Sequence, residues 1–222
     1  MWFLALNTMI ITTRKCGLCK ENIELEKEKK TVLQSKKYYH YDCFIEKEIN
    51  KKRNVLTKEE IENLASQLIE ENKNFINEII NKNHLYLWLQ KKYNLIIIPT
   101  YVYQKLADIY NGTWKDINMK IPSEDILDMF KRQWHNLEQI NISNINKGKK
   151  LSPENRLNYD LSVIINKSSS YYEWRKKQEE QQIEMMQSIE SSQATNNFRS
   201  SMGIEQNVTS NENDLSQYLE EI

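Results

Sequence analysis

The chain has 222 residues, enough for one medium domain or for two small ones with a tail. Only four Gly and three Pro argue against an all-β fold and against a Gly-rich phosphate loop. A formal net charge of zero argues against a globally basic nucleic-acid binder, and 39% hydrophobic residues against 28% charged ones allow a packed core of limited size.

The neutral total conceals two charged ends. Between Arg14 and Arg53 stand twelve Lys/Arg against seven Asp/Glu, and between Glu179 and Ile222 nine acids against Arg199 alone. A basic head and an acidic tail predict different contacts for the two ends, or a contact with each other.

Residues 1–13 are set apart as an arm. MWFLALNTMII lacks the basic leader and the cleavage site of a signal peptide and is too short to span a bilayer. It is either a stretch upstream of a true start at Met9 or a short apolar strand packed on the domain. A cytoplasmic protein with reduced thiols is expected.

Residues 14–55 read as a small zinc finger of short strands and a helix. Ile23 and Leu25 alternate, Thr31-Val32-Leu33 is β-prone, and a helix is predicted from Asp42 through FIEKEINKKR. Residues 56–188 read as an α-helical domain. Thr57 to Glu60 matches a capping box, opening a helix with Ile61, Leu64, Ala65, Leu68, Phe75, Ile76, Ile79 and Ile80 on its apolar face. LYLWL at 85–89 predicts a further short helix ended by Pro99. Thr100 is expected to cap the next helix, which stops at Asn111-Gly112. Ser123 is expected to cap another, with Ile126, Leu127, Phe130, Trp134 and Leu137 inward. Ser152-Pro153 opens the last, with Leu157, Leu161, Ile164 and Ile165 inward and a course running past Trp174. Residues 189–222, rich in Ser, Asn, Gln and Thr, read as a disordered acidic tail. The fold class is thus mainly α, with a small finger at the N-terminus.

The chemistry concentrates in Cys16-x2-Cys19-x20-His40-x2-Cys43, which has the ligand types and spacing of a tetrahedral zinc site. The CxxC turn lets backbone amides point at both sulfurs. His40 and Cys43, three apart at a helix start, face the same way, with the positive end of the helix dipole beside them. All three cysteines are consumed, and an odd number precludes a complete disulfide framework. Four protein ligands leave no open position, so one structural zinc ion is expected, contributing to folding.

CGLC, the interval of twenty and YYHYDCF resemble the first half of a LIM-type finger and, more generally, a treble-clef finger. LIM domains mostly mediate protein contacts and treble-clef fingers serve nucleic acid and protein, so the resemblance implies a binding module. A LIM domain continues with a cysteine at position 46, where this chain has Glu46, and the second zinc module is therefore missing. The finger together with YNGTWK, RLNYDLSVIINK and YYEWRKK resembles small proteins of phages and prophages in low-GC bacteria, which implies a bacterial host's cytoplasm as the setting.

Other groups carry weaker signals. His84 and His135 have no cysteine to join and are expected to pack or face solvent. Glu59-Glu60 and Glu124-Asp125 sit at helix starts, where acids stabilise the dipole, and no catalytic motif occurs, so no enzyme is expected. RLNYD at 156–160 is either a buried polar network or a recognition patch. Lys36, Lys37, Lys51, Lys52 and Arg53, with Tyr38 for stacking, and Lys147, Lys149 and Lys150 are the candidate nucleic-acid contacts. Leu215, Tyr218, Leu219 and Ile222 stand at helical spacing and are a candidate partner-binding segment. The function expected is a phage-type accessory or regulatory protein that binds nucleic acid or a complex processing it. The alternative is an inhibitor that binds a host defence protein directly. Neither a membrane nor a small-molecule substrate is expected as partner.

Overall fold

A computed structural model describes residues 12–51, 56–115 and 118–201. The described chain is mainly helical, with four short strands ahead of six helices. It divides into two compact units, residues 1–168 and 169–222.

The first unit opens with two antiparallel hairpins, β1 (Thr13–Lys15) with β2 (Asn22–Glu24) and β3 (Val32–Gln34) with β4 (Lys37–Tyr39). The alternation seen in the sequence is the cause of their packing: Ile23 and Val32 are fully buried while their strand neighbours face outward. Helix α1 (Tyr41–Ile49) follows at once. Its inward residues Phe44 and Ile45 join Cys16, Ile23, Leu25, Val32 and Tyr39 in one apolar cluster.

That cluster is closed by the next helix. Helix α2 (Lys58–Tyr93) contributes Ile61 and Ala65, both fully buried, so the finger shares its core with the helical body. The capping box is formed as the sequence predicts: Glu60 N–H donates to Thr57 Oγ1, and Thr57 N–H donates to Glu60 Oε2. The sequence splits this region into two helices, but it is one helix of 36 residues, spanning about 54 Å at 1.5 Å per residue. Nothing between Ile80 and Leu85 breaks it, because Asn81, Lys82 and Asn83 keep their side chains on i,i+4 or long-range partners. Left-handed Asn94 ends it.

The second half of α2 forms an up-down-up-down arrangement with α3 (Thr100–Asn111), α4 (Ser123–Asn146) and α5 (Pro153–Asn166). Tyr103 meets Tyr86 and Tyr110 lies beside Lys82, so α3 runs back along α2. Asn81 meets Glu124, Trp88 meets Phe130 and Tyr93 meets Trp134, so α4 runs parallel to α2. Arg156 meets Glu138 and Lys167 meets Gln133, so α5 returns along α4. Leu157, Leu161, Ile164 and Ile165 are all fully buried, as their periodicity predicts.

Two predicted caps are displaced. Thr100 and Ser123 are the first helical residues, and the cap positions belong to Pro99 and Pro122, which offer no side-chain acceptor. Ser152 does cap α5, accepting from Asn155 N–H, and Gly112 ends α3 at φ +71°.

In the second unit, helix α6 spans Ser168–Ser201, so regular structure extends beyond residue 189, where composition predicts disorder. Lys167 closes α5 before it, so the two helices are separate. Leu215, Tyr218, Leu219 and Ile222 lie outside the described residues. No helix among the described residues is long and apolar enough to cross a membrane.

Candidate metal centre

The turn between β1 and β2 carries Cys16 and Cys19. Cys16 N–H donates to Glu21 O, Lys20 N–H donates to Cys16 O, and Lys20 takes a left-handed φ of 66° to close the loop. Gly17 N–H donates to Tyr38 O, which ties this turn to the second hairpin. A side chain at Gly17 has no room, since a Cβ would stand 2.5 Å from Cε1 of Tyr39. Gly17→Ala therefore forces the phenol ring aside. We expect it to destabilise the finger by about 1–3 kcal/mol and to speed metal loss to a chromogenic chelator; an unchanged melting curve and release rate would refute the contact.

The other two donors come from the start of α1. His40 is the N-cap residue with extended φ and ψ, yet its side chain makes no capping bond, which leaves the imidazole for the cluster. Cys43 sits in the first helical turn behind it. The donor atoms of Cys16, Cys19, His40 and Cys43 all lie within 4.8 Å of one another. Tetrahedral bonds of about 2.0–2.3 Å place donors roughly 3.4–3.8 Å apart, so the four close on an ion with small movements.

The imidazole has its two nitrogens sorted. Nδ1 faces Cys19 Sγ at 3.4 Å and Cys43 Sγ at 3.7 Å. Nε2 faces the carbonyl of Asn22 at 3.4 Å and the carboxylate of Glu28 at 3.6 Å. A histidine that binds metal through one nitrogen needs an acceptor at the other, and both acceptors are in place. Asn22 and Glu28 carry no sequence signal, since they follow the CxxC at no ligand spacing and are recruited only by the hairpin.

The thiols titrate apart. Burial opposes ionisation of Cys16, but backbone amides of His40, Leu18 and Cys19 outweigh it and bring the thiol down to about 6. Burial and the neighbouring sulfurs push Cys43 up to about 12. Cys16 and Cys43 cannot both ionise at this distance without a cation between them, so this donor set fits a divalent metal ion. A depression of about 570 Å³ lined by Cys19, Glu28, Lys30, His40, Tyr41 and Cys43 opens beside the cluster.

The other candidates fall in separate places. Lys36 and Lys37 are exposed at the tip of the β3–β4 hairpin, with Tyr38 half-buried beside them. Lys51 is engaged by the buried Glu48 in an ion pair, and Lys52 and Arg53 lie outside the described residues. Lys147, Lys149 and Lys150 are exposed between α4 and α5. Because α4 runs parallel to α2, that loop lies beyond the C-terminal end of α2, whereas the hairpin meets α2 at Asn72. The two basic groups are therefore about 30 Å or more apart along the helix axis and form no common surface.

Within RLNYD, Arg156 and Asp160 belong to a buried network and Tyr159 is exposed. Tyr93 Oη donates to Asp160 Oδ2 at 2.8 Å, Arg156 Nη2 donates to Glu138 Oε1 at 2.7 Å, and Arg156 Nε stands 3.4 Å from Asp160. His84 and His135 are exposed. The chain matches no protein-family model, no curated protein and no solved structure.

Proposed function

We propose that the cluster holds one structural zinc ion and that this chain is a phage-type accessory or regulatory protein whose finger binds nucleic acid or a complex that processes it. The choice of zinc rests on three thiols and one imidazole, a soft, closed donor set. The order of CxxC turn, hairpin and ligand-bearing helix supports the treble-clef resemblance. The reading places the protein in a bacterial cytoplasm and assigns no catalytic residue.

The observation that carries the binding reading is the turn at the hairpin tip. Ser35 and Lys36, the two residues joining β3 to β4, have φ of 49° and 65°. Both central positions of such a turn favour Asn-Gly, and a lysine there is strained by about 1–2 kcal/mol. Strain kept at an exposed tip, with Lys36 and Lys37 thrown into solvent beside an aromatic ring, supports a recognition role.

Lys36→Gly separates the two consequences. It relieves the left-handed strain, so the melting temperature rises, while retention of labelled nucleic acid on filters falls at low salt. Wild-type retention falls steeply as salt increases. A variant that loses stability, or one that binds as well as wild type, would count against the reading. The runner-up, an inhibitor of a host defence protein, is favoured by Ile96 and Ile97, which stand 65% and 72% exposed between α2 and α3. Absence of any retention at low salt would favour it.

A further inference from the structure

Asn72 of α2 donates to the carbonyl of Leu33 at 3.3 Å and to that of Leu68 at 2.7 Å, and pins the β3–β4 hairpin at one edge. Beyond that edge a groove of about 410 Å³ opens, lined by Leu33, Ser35, Lys36, Tyr38, Asn72 and Phe75. Leu33 and Tyr38 are cross-strand partners on the outward face of the hairpin, opposite the buried pair Val32 and Tyr39. Both line the groove together with Phe75.

Phe75 is out of place for a core residue. The sequence puts it on the apolar face of α2, but it is 50% exposed and absent from the finger's core. The ring of Tyr38 has the guanidinium carbon of Arg14 at 5.5 Å from its centroid. The nearest acids on α2, Glu70 and Glu71, are engaged by Lys73 and Gln67. The groove therefore presents two aromatic rings beside the exposed ammonium of Lys36.

We propose that this groove takes one unpaired base of a single-stranded nucleic acid, stacked against Tyr38 and Phe75, with a flanking phosphate on Lys36. The inference rests on the nucleic-acid reading above and narrows it. A duplex keeps its base faces stacked inside the helix, so rings in a recess have nothing to meet there. A single strand offers a π-face at every nucleotide. The charge of Lys36 matches phosphate and decides against an uncharged apolar peptide. Tyr38 is also where the metal turn is anchored, through Gly17 N–H to Tyr38 O and the bridge between Cys16 and Tyr38. A metal bound by Cys16 would thereby steady the backbone that carries Tyr38.

The test is fluorescence anisotropy on the full chain at low salt, with a fluorescein-labelled oligothymidylate and a labelled duplex of the same length. The single strand should bind, the duplex at least tenfold more weakly. Phe75→Ala and Tyr38→Ala should each weaken single-strand binding about tenfold, and Phe75→Trp should retain it. Phe75 is exposed, so its circular dichroism and melting curve should be unchanged. Equal binding of duplex and single strand, or a Phe75→Ala variant that binds as wild type while Lys36→Glu does not, overturns the groove and leaves the nucleic-acid reading standing. No binding of either probe overturns both.

Discussion

Cys43→Ser should leave the chain without bound metal and unfold the finger, while the four-helix body persists. Apparent binding energies of about 10–16 kcal/mol for structural zinc exceed or match the 5–15 kcal/mol that stabilises a whole domain, so on the zinc reading proposed above the finger should not stay folded without it. Its own strands are three residues each, and its core is closed from outside by α2, through buried Ile61 and Ala65 and partly buried residues as far as Ile80. Hydrogen exchange should show amides of residues 13–49 losing protection, with fraying of α2 from Lys58 toward Ile80, the stretch that packs on the finger. Amides of α4 and α5 should keep theirs, because Phe130, Leu137, Leu157 and Leu161 belong to a separate core. Protection of the finger that survives the substitution would show that packing alone folds it.

Asp160→Ala should cost about 2–4 kcal/mol, the largest expected effect in the helical body. The carboxylate is buried among α2, α4 and α5 and serves both Tyr93 and Arg156. Burial pushes it up from the ordinary carboxyl range, against the pull of Tyr93 and Arg156 in the other direction. Removing it strands the Tyr93 hydroxyl and leaves Glu138 as the carboxylate partner of Arg156, beside the rings of Tyr93 and Trp134. Tyr93→Phe keeps the Arg156 contact and should cost only about 1 kcal/mol. The double variant should be less destabilised than the sum of the two, since both remove the same bond. Urea unfolding followed by tryptophan fluorescence reads this directly, because Trp88 and Trp134 pack against the network's neighbours Phe130 and Tyr93. Additive effects would contradict a shared network.

What could be read in advance follows the range of the interaction. Thr57 with Glu60 and Ser152 with Pro153 signal helix starts through contacts three residues long, and both caps form. The clustering of Cys16, Cys19, His40 and Cys43 is legible for the same reason: two pairs at local spacing leave only one long-range match to make. The acceptors behind His40 are not legible, because Glu28 and Asn22 reach the imidazole only after the hairpin folds. The tyrosines show the same limit. Tyr38 and Tyr39 look equivalent as neighbours, yet strand alternation sends Tyr39 under Gly17 and Tyr38 outward. Lys51 reads as a free cation until α1 brings Glu48 beneath it. Phe75 reads as core, but the finger's core takes Leu68, Ile76, Ile79 and Ile80 from α2 and leaves Phe75 half exposed. The separation of the two lysine groups depends on the parallel course of α4, which no local pattern encodes.

The metal content of the intact protein tests the central claim most directly. Native mass spectrometry of freshly purified, fully reduced protein should show one zinc ion per chain, and Cys16→Ser and Cys43→Ser protein should show none. Wild-type protein that carries no metal, with all three thiols titrating freely, would contradict it.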